Sequence, residues 1–127
     1  VMAAGAPKFK VMRDVVDLLK ADTTMQEFVG SKIFPIVAPQ DTTGDFIAYQ
    51  RDGVDTEPLN KMGGFASLRF YFYISIVSTD YERSLDIADR VYDVLQGTHE
   101  TFSIEFKDST ENVVDQKFIQ VLKFSIL

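Results

Sequence analysis

Apolar residues at Phe9, Met12, Val15, Val16 and Leu19 recur at the spacing of one helical face, which predicts a helix over Lys8 to Lys20. A shorter helix is expected next. Asp22 to Thr24 offer N-cap oxygens, Thr24 and Glu27 have capping-box spacing, and Met25, Phe28 and Val29 turn inward before Gly30 ends it. Ile33 to Val37 is a short apolar run broken by Pro35, so it is an edge strand at best, because proline cannot donate to a ladder. Phe46 to Arg51 reads as a cleaner strand, with loop chemistry at Ala38 to Asp45 between the two. Asp52 to Gly64 shows no period and contains Gly53, Pro58, Gly63 and Gly64, so a long loop is expected there. Its Val54, Leu59 and Met62 exceed what a solvated loop needs, and loops of this length in compact domains are usually functional or disordered.

Phe65 to Val77 carries the clearest alternation in the chain. Leu68, Phe70, Phe72, Ile74 and Ile76 form one set, and Arg69, Tyr71, Tyr73, Ser75 and Val77 the other. The first set belongs on a core, and the second is amphipathic. Ser78 and Thr79 then open a long helix with Thr79 and Glu82 at capping-box spacing and Gly97 past its end. Tyr81, Leu85, Ala88, Tyr92 and Leu95, widened by Val91, are its expected buried face. Two final strands are expected at Thr101 to Lys107 and Val113 to Ile126, joined by a turn at Asp108 to Asn112. The order α, α, β, β, β, α, β, β predicts an α+β fold. Its mainly antiparallel sheet would have about four to five strands, with the helices packed on one face. Residues 1–7 are set aside as a frayed end or cloning remnant, and 8–127 are read as one domain.

Composition narrows the class. Eleven Phe and five Tyr in a chain of 127 residues that is 46% hydrophobic supply a core without disulfides or metal. With no cysteine there is no disulfide framework, thiolate zinc site or cysteine nucleophile. The formal charge of −6, without a basic cluster, disfavours gripping a phosphate backbone. No apolar run approaches the roughly 20 residues of a helical membrane span.

Catalytic signatures are missing from the sequence. His99 is the single histidine, and no Gly-x-Ser-x-Gly turn presents a serine. The acids Asp41, Asp45, Asp52, Asp55 and Glu57 do not follow calcium-loop spacing, and Gly63-Gly64 leads into Phe65 rather than the Lys-Ser of a phosphate loop. No enzymatic activity and no cofactor are expected.

Two features bear on assembly. Glu82, Asp86, Asp89 and Asp93 form one acidic stripe on the long helix, although like charges at i, i+4 cost roughly 0.2–0.5 kcal/mol per pair. It reads as a solvated face, or as a surface kept negative to dock on a basic partner or to repel DNA from a channel wall. Burying four unpaired acids is costly, so the stripe is not expected in a seam between subunits. Tyr71 and Tyr73 read either as ordinary half-buried sheet residues or as an interface, where tyrosine is enriched.

The segments "LLKAD", "FVGSKIFPIVAPQ", "DFIAYQR", "LRFYFYISIVS" and "DYERSLDIADRVYDVLQG" follow one another over about two thirds of the chain. In that order they resemble the tail-completion (tail-terminator-like) family of long-tailed bacteriophages and prophages. Members typically show an apolar strand ending in Pro, then "APQ", a "YxxYQR"-like strand, and a helix starting near Tyr-x-x-Ala or Tyr-x-x-Ser. Phe46-Ile47 stands where many members have Pro-Tyr.

The resemblance implies a structural tail protein of the virion, assembled in the bacterial cytoplasm. It would form a ring, commonly six-fold, that caps the head-proximal end of the tail tube and joins tail to head. Its implied partners are further copies of itself, the tail tube protein and the head-closure protein, and DNA passes without specific binding. On this view Tyr71, Tyr73, Val54, Leu59 and Met62 are subunit-contact candidates. Glu82, Asp86, Asp89 and Asp93 are then candidates for an acidic lumen or docking face. The alternative is a small ligand-binding or regulatory α+β domain of a prophage-bearing bacterium, which would carry a closed apolar pocket.

Overall fold

The computed structural model describes residues 9–58, 66–100 and 102–126. Three helices, α1 (Val11–Ala21), α2 (Thr23–Val29) and α3 (Tyr81–Leu95), pack on one face of a sheet. Its strands are β1 (Ile33–Pro35), β2 (Phe46–Pro58), β3 (Ala66–Ser78), β4 (Gly97–Thr98), β5 (Ser103–Val114) and β6 (Lys117–Ile126). The spatial order is β1-β2-β3-β6-β5-β4, with β1 parallel to β2 and every other pairing antiparallel. The fold is α+β, with six strands among the described residues rather than four to five. The two-residue β4 beside β5 is too short to leave a periodic trace in sequence.

The alternation in β3 sets the architecture. Phe70, Phe72, Ile74 and Ile76 are fully buried beneath the helices. They meet Ile126, Phe124, Leu122 and Gln120 on β6 in register. Phe72 and Phe124 stack with centroids 5.4 Å apart. Val11, Val15, Val16 and Leu19 of α1, Met25 and Val29 of α2, and Ile87, Val91 and Leu95 of α3 close the core from above. Each such side chain contributes about 1.5–3 kcal/mol by leaving water.

Four expectations are corrected. The first helix begins at Val11, so Val11 joins the buried arc; Met12 is half-buried and Phe9 is 64% exposed. Phe9 rests edge-on against Phe70 at 6.0 Å, with the Arg51 guanidinium over its ring.

The expected loop at Asp52 to Gly64 is strand as far as Pro58. β2 continues past a register shift between Arg51 and Gly53 and pairs with β3 out to Pro58↔Ala66. A bulge absorbs one residue and flips the alternation, which hides the period in sequence.

The turn between the last strands lies at Asp115-Gln116, both at positive φ (51° and 65°), and Asp108 to Asn112 belongs to β5. Two left-handed residues are what a two-residue hairpin turn requires.

The buried face of α3 is also rotated. Ser84, Ile87, Val91 and Leu95 face the core, whereas Tyr81, Leu85 and Tyr92 are 36–40% exposed. At roughly 100° per residue the two arcs lie about 90° apart. Ser84 disguises the inner one. Its hydroxyl is satisfied by donating to the Tyr81 carbonyl at 2.6 Å, so a polar residue sits in the core arc without cost. The N-cap is Asp80, which accepts from Arg83 N, rather than Ser78 or Thr79.

Candidate assembly surfaces

Helices cover one side of the sheet and leave the other. Across that second face run the rows Phe46–Val77–Ile119, Ala48–Ser75–Val121 and Gln50–Tyr73–Lys123, with Tyr71 beside Ser125. Tyr71 and Tyr73 are half-buried here. The Lys123 ammonium lies 5.4 and 5.5 Å from their ring centres and 3.1 Å from Asp52, the residue at the β2 bulge. The bond to Asp52, with smaller help from the two tyrosines, raises the Lys123 pKa, so this cation stays charged.

The other candidates fall elsewhere. Val54 pairs with Phe70 and packs against the subunit's own core, so it is not a spare apolar group on a loop. Leu59 and Met62 lie outside the described residues.

Two open clefts mark the same face. One of about 200 Å³ is lined by Tyr73, Val121, Lys123 and Asp108 to Thr110. The other, about 380 Å³, lies among Ile36, Val37, Phe46, Val77, Lys117 and Ile119. Ile36 and Val37 are 68% and 74% exposed. Sequence reasoning passed over them as the tail of a broken strand. Ile36 has φ of +63°, and Val37 N donates to the Pro35 carbonyl at 2.6 Å, closing a tight three-residue turn. A β-branched residue in that region is strained by about 1–3 kcal/mol.

On the helix side, Glu82, Asp86, Asp89 and Asp93 are all exposed, as expected from their position opposite the apolar arc. Among the described residues none of the four forms an ion pair. The half-exposed Tyr81, Leu85 and Tyr92 run alongside. Tyr81 rests on Phe118 and Tyr92 on Phe106, both edge-on. The Tyr81 hydroxyl donates to Glu111 at 2.9 Å, and that bond raises the Tyr81 pKa. The helix's other flank is cationic and committed inward, Arg83 to Asp45 and Arg90 to Asp22.

The outer face of α1 has the opposite sign. Lys10, Arg13 and Lys20 are exposed with Asp17 among them, and among the described residues none of the three cations has an ion-pair partner. This basic face was legible as the polar complement of the apolar arc, but the acidic total of the chain drew attention from it.

The β5 edge of the sheet offers little to a partner strand. Beyond Ser103 and Ile104 the outer edge of β5 is unpaired by β4, yet three of its amides are occupied. Gln96 Oε1 accepts from Phe106 N, Asp108 Oδ1 from Ser109 N and Asn112 Oδ1 from Val113 N. Edges blunted in this way resist strand addition.

His99 has a local partner. Its Nε2–H donates to the Leu95 carbonyl at 2.7 Å, and the ring lies on Phe102. Among the described residues no three His, Asp or Glu side chains gather as a metal site. No described helix is long and apolar enough to cross a membrane.

Against known structures the arrangement is not new. This is a fold found in a virion. A chain from the virion of a native gene transfer agent particle superposes with a TM-score of 0.70 over 88% of this chain and 89% of its own, at 20% identity. A second solved structure, at 12% identity, aligns over 94% of both chains with a TM-score of 0.52. No protein-family model matches the sequence. No curated protein matches it either.

Proposed function

We infer that this chain is a structural subunit of a phage-type tail. It assembles as a ring at the head-proximal end of the tail tube, where it ends the tube and joins it to the head. The observation that carries this reading is the near end-to-end likeness to a chain of a gene transfer agent virion. The ordered motifs from "LLKAD" to "VLQG" narrow it to the tail-completion class. The acidic balance suits a protein that DNA passes rather than one it binds. Its work is contact rather than catalysis. The helix-free face around Tyr71 and Tyr73 is a contact between subunits, and the tail tube and head-closure proteins are the outer partners.

Light scattering across a concentration series, followed by negative-stain imaging, tests the assembly. A ring of defined subunit number that caps purified tail tubes is the expected result. A chain that stays monomeric with tubes present, and leaves their length unregulated, overturns the reading.

A further inference from the structure

The helix layer carries two unpartnered faces of opposite sign. On α3, the acids Glu82, Asp86, Asp89 and Asp93 flank the half-exposed apolar strip of Tyr81, Leu85 and Tyr92. Along α1, Arg13 and Lys20, with Lys10 at the N-cap, present three exposed cations against one exposed acid, Asp17; Phe9, 64% exposed, precedes the helix with the Arg51 guanidinium over its ring. The two helices touch one another on the same side of the sheet. Each therefore turns a different flank outward, and within one subunit the two charged faces do not pair.

We propose that the apolar and acidic flank of α3 is the docking surface for the basic face of α1 from a second copy of this chain. The occupant follows from complementarity. Four acids outside any ion pair, with apolar side chains alongside, call for a partner of net positive charge, and the α1 face offers one, since Lys10, Arg13 and Lys20 outnumber Asp17 there. A joint between two different faces is heterologous, and repeated heterologous contacts generate a ring when the rotation closes. The cost that argued against placing the acids in a seam was that of burying them unpaired, and α1 offsets it with three exposed cations, at the rim of a contact where the side chains stay partly solvated. This inference rests on the ring reading above and adds where a seam lies.

Charge reversal in the full chain tests it. Asp86→Lys, Asp89→Lys and Asp93→Lys together turn the stripe from −4 to +2; Arg13→Glu with Lys20→Glu turns the α1 face, Asp17 included, from +2 to −2. All five side chains are exposed and outside the core, and circular dichroism confirms that each variant is folded. By light scattering each variant alone should assemble roughly tenfold more weakly than the wild type. An equimolar mixture should recover, because each chain then offers the face that the other needs. The five-fold variant, reversed on both faces, should recover alone, and added salt should weaken the wild-type assembly. Reversed variants that assemble like the wild type overturn this seam and leave the ring reading standing. Loss without recovery in the mixture also overturns it, since the stripe then serves another partner. A wild-type chain that never assembles overturns both.

Discussion

Asp22 joins two helices at once: it caps α2 by accepting from Met25 N at 2.8 Å, and it receives both arms of the Arg90 guanidinium from α3, one at 2.9 Å. The Arg90 bond, followed by the Met25 amide, holds the Asp22 carboxyl below its ordinary range, and the same pair raises the Arg90 pKa.

Asp22→Asn separates these roles, because asparagine caps as well as aspartate but carries no charge. The variant should melt below the wild type at neutral pH. Asp22→Ala should lose about 1 kcal/mol more, the usual worth of a cap. For a carboxyl whose folded pKa is depressed, the stabilisation is full above the unfolded value and is lost as pH falls through the folded one. The gap between wild type and Asp22→Asn should therefore close on acidification. Thermal melts from neutral pH downward check this, and a gap that holds constant into strong acid counts against the ion pair.

The strain at Ile36 predicts a stabilising substitution. Ile36→Gly keeps the Ile36 N bond to the Tyr49 carbonyl and removes the penalty for a β-branched residue at φ +63°. A net gain of about 1 kcal/mol is expected, part of the relief being offset by the greater freedom of glycine when unfolded. Urea denaturation measures it. A loss of stability would mean that Ile36 contributes packing its exposure does not reveal.

The hairpin tip gives a second such site. Asp115 and Gln116 both hold positive φ, yet glutamine is poorly suited to the second position of this turn. Gln116→Gly should stabilise by about 0.5–1 kcal/mol without moving the register Val114↔Lys117. Chemical shifts for Val113 and Val114 should stay near wild-type values if the register is kept.

Those two turns also show where sequence reading stopped. β3 was legible because its period of two runs unbroken through fully buried residues from Phe70 to Ile76. The acidic stripe was legible because charge on a helix needs only spacing. The β2 bulge erased the period beyond Arg51, and polar Ser84 masked the inner arc of α3. Asp115-Gln116 took a turn conformation without the glycine that announces one, while Asp108 to Asn112 looked like a turn and extended a strand. In the strands a long-range pairing overrode local chemistry, and at Ser84 a local bond to the Tyr81 carbonyl let a polar residue join the core. Of the contact candidates, Tyr71 and Tyr73 keep an outward position, whereas Val54 turned out to serve its own core.

The last expectation concerns those tyrosines. Tyr71 and Tyr73 share the helix-free face with Lys123, whose ammonium is held by Asp52 across the sheet. Replacing both by Ser removes two large half-buried rings from that face and leaves Phe70, Phe72 and Ile74 in place beneath the helices. The subunit should stay folded. Lys123 keeps Asp52, so no charge is stranded, and the register with β6 is carried by the buried set. Assembly should weaken, because tyrosines buried in an interface commonly contribute more than 1 kcal/mol each when truncated. Sedimentation of the double variant against wild type, with thermal melts of both as monomers, separates the two effects. A folded monomer with impaired assembly supports a contact over this face. Equal assembly in both chains would mean that no subunit covers these rings. A variant unfolded at concentrations where the wild type is a stable monomer would place them in the subunit's own core, with the sheet depending on both of its faces.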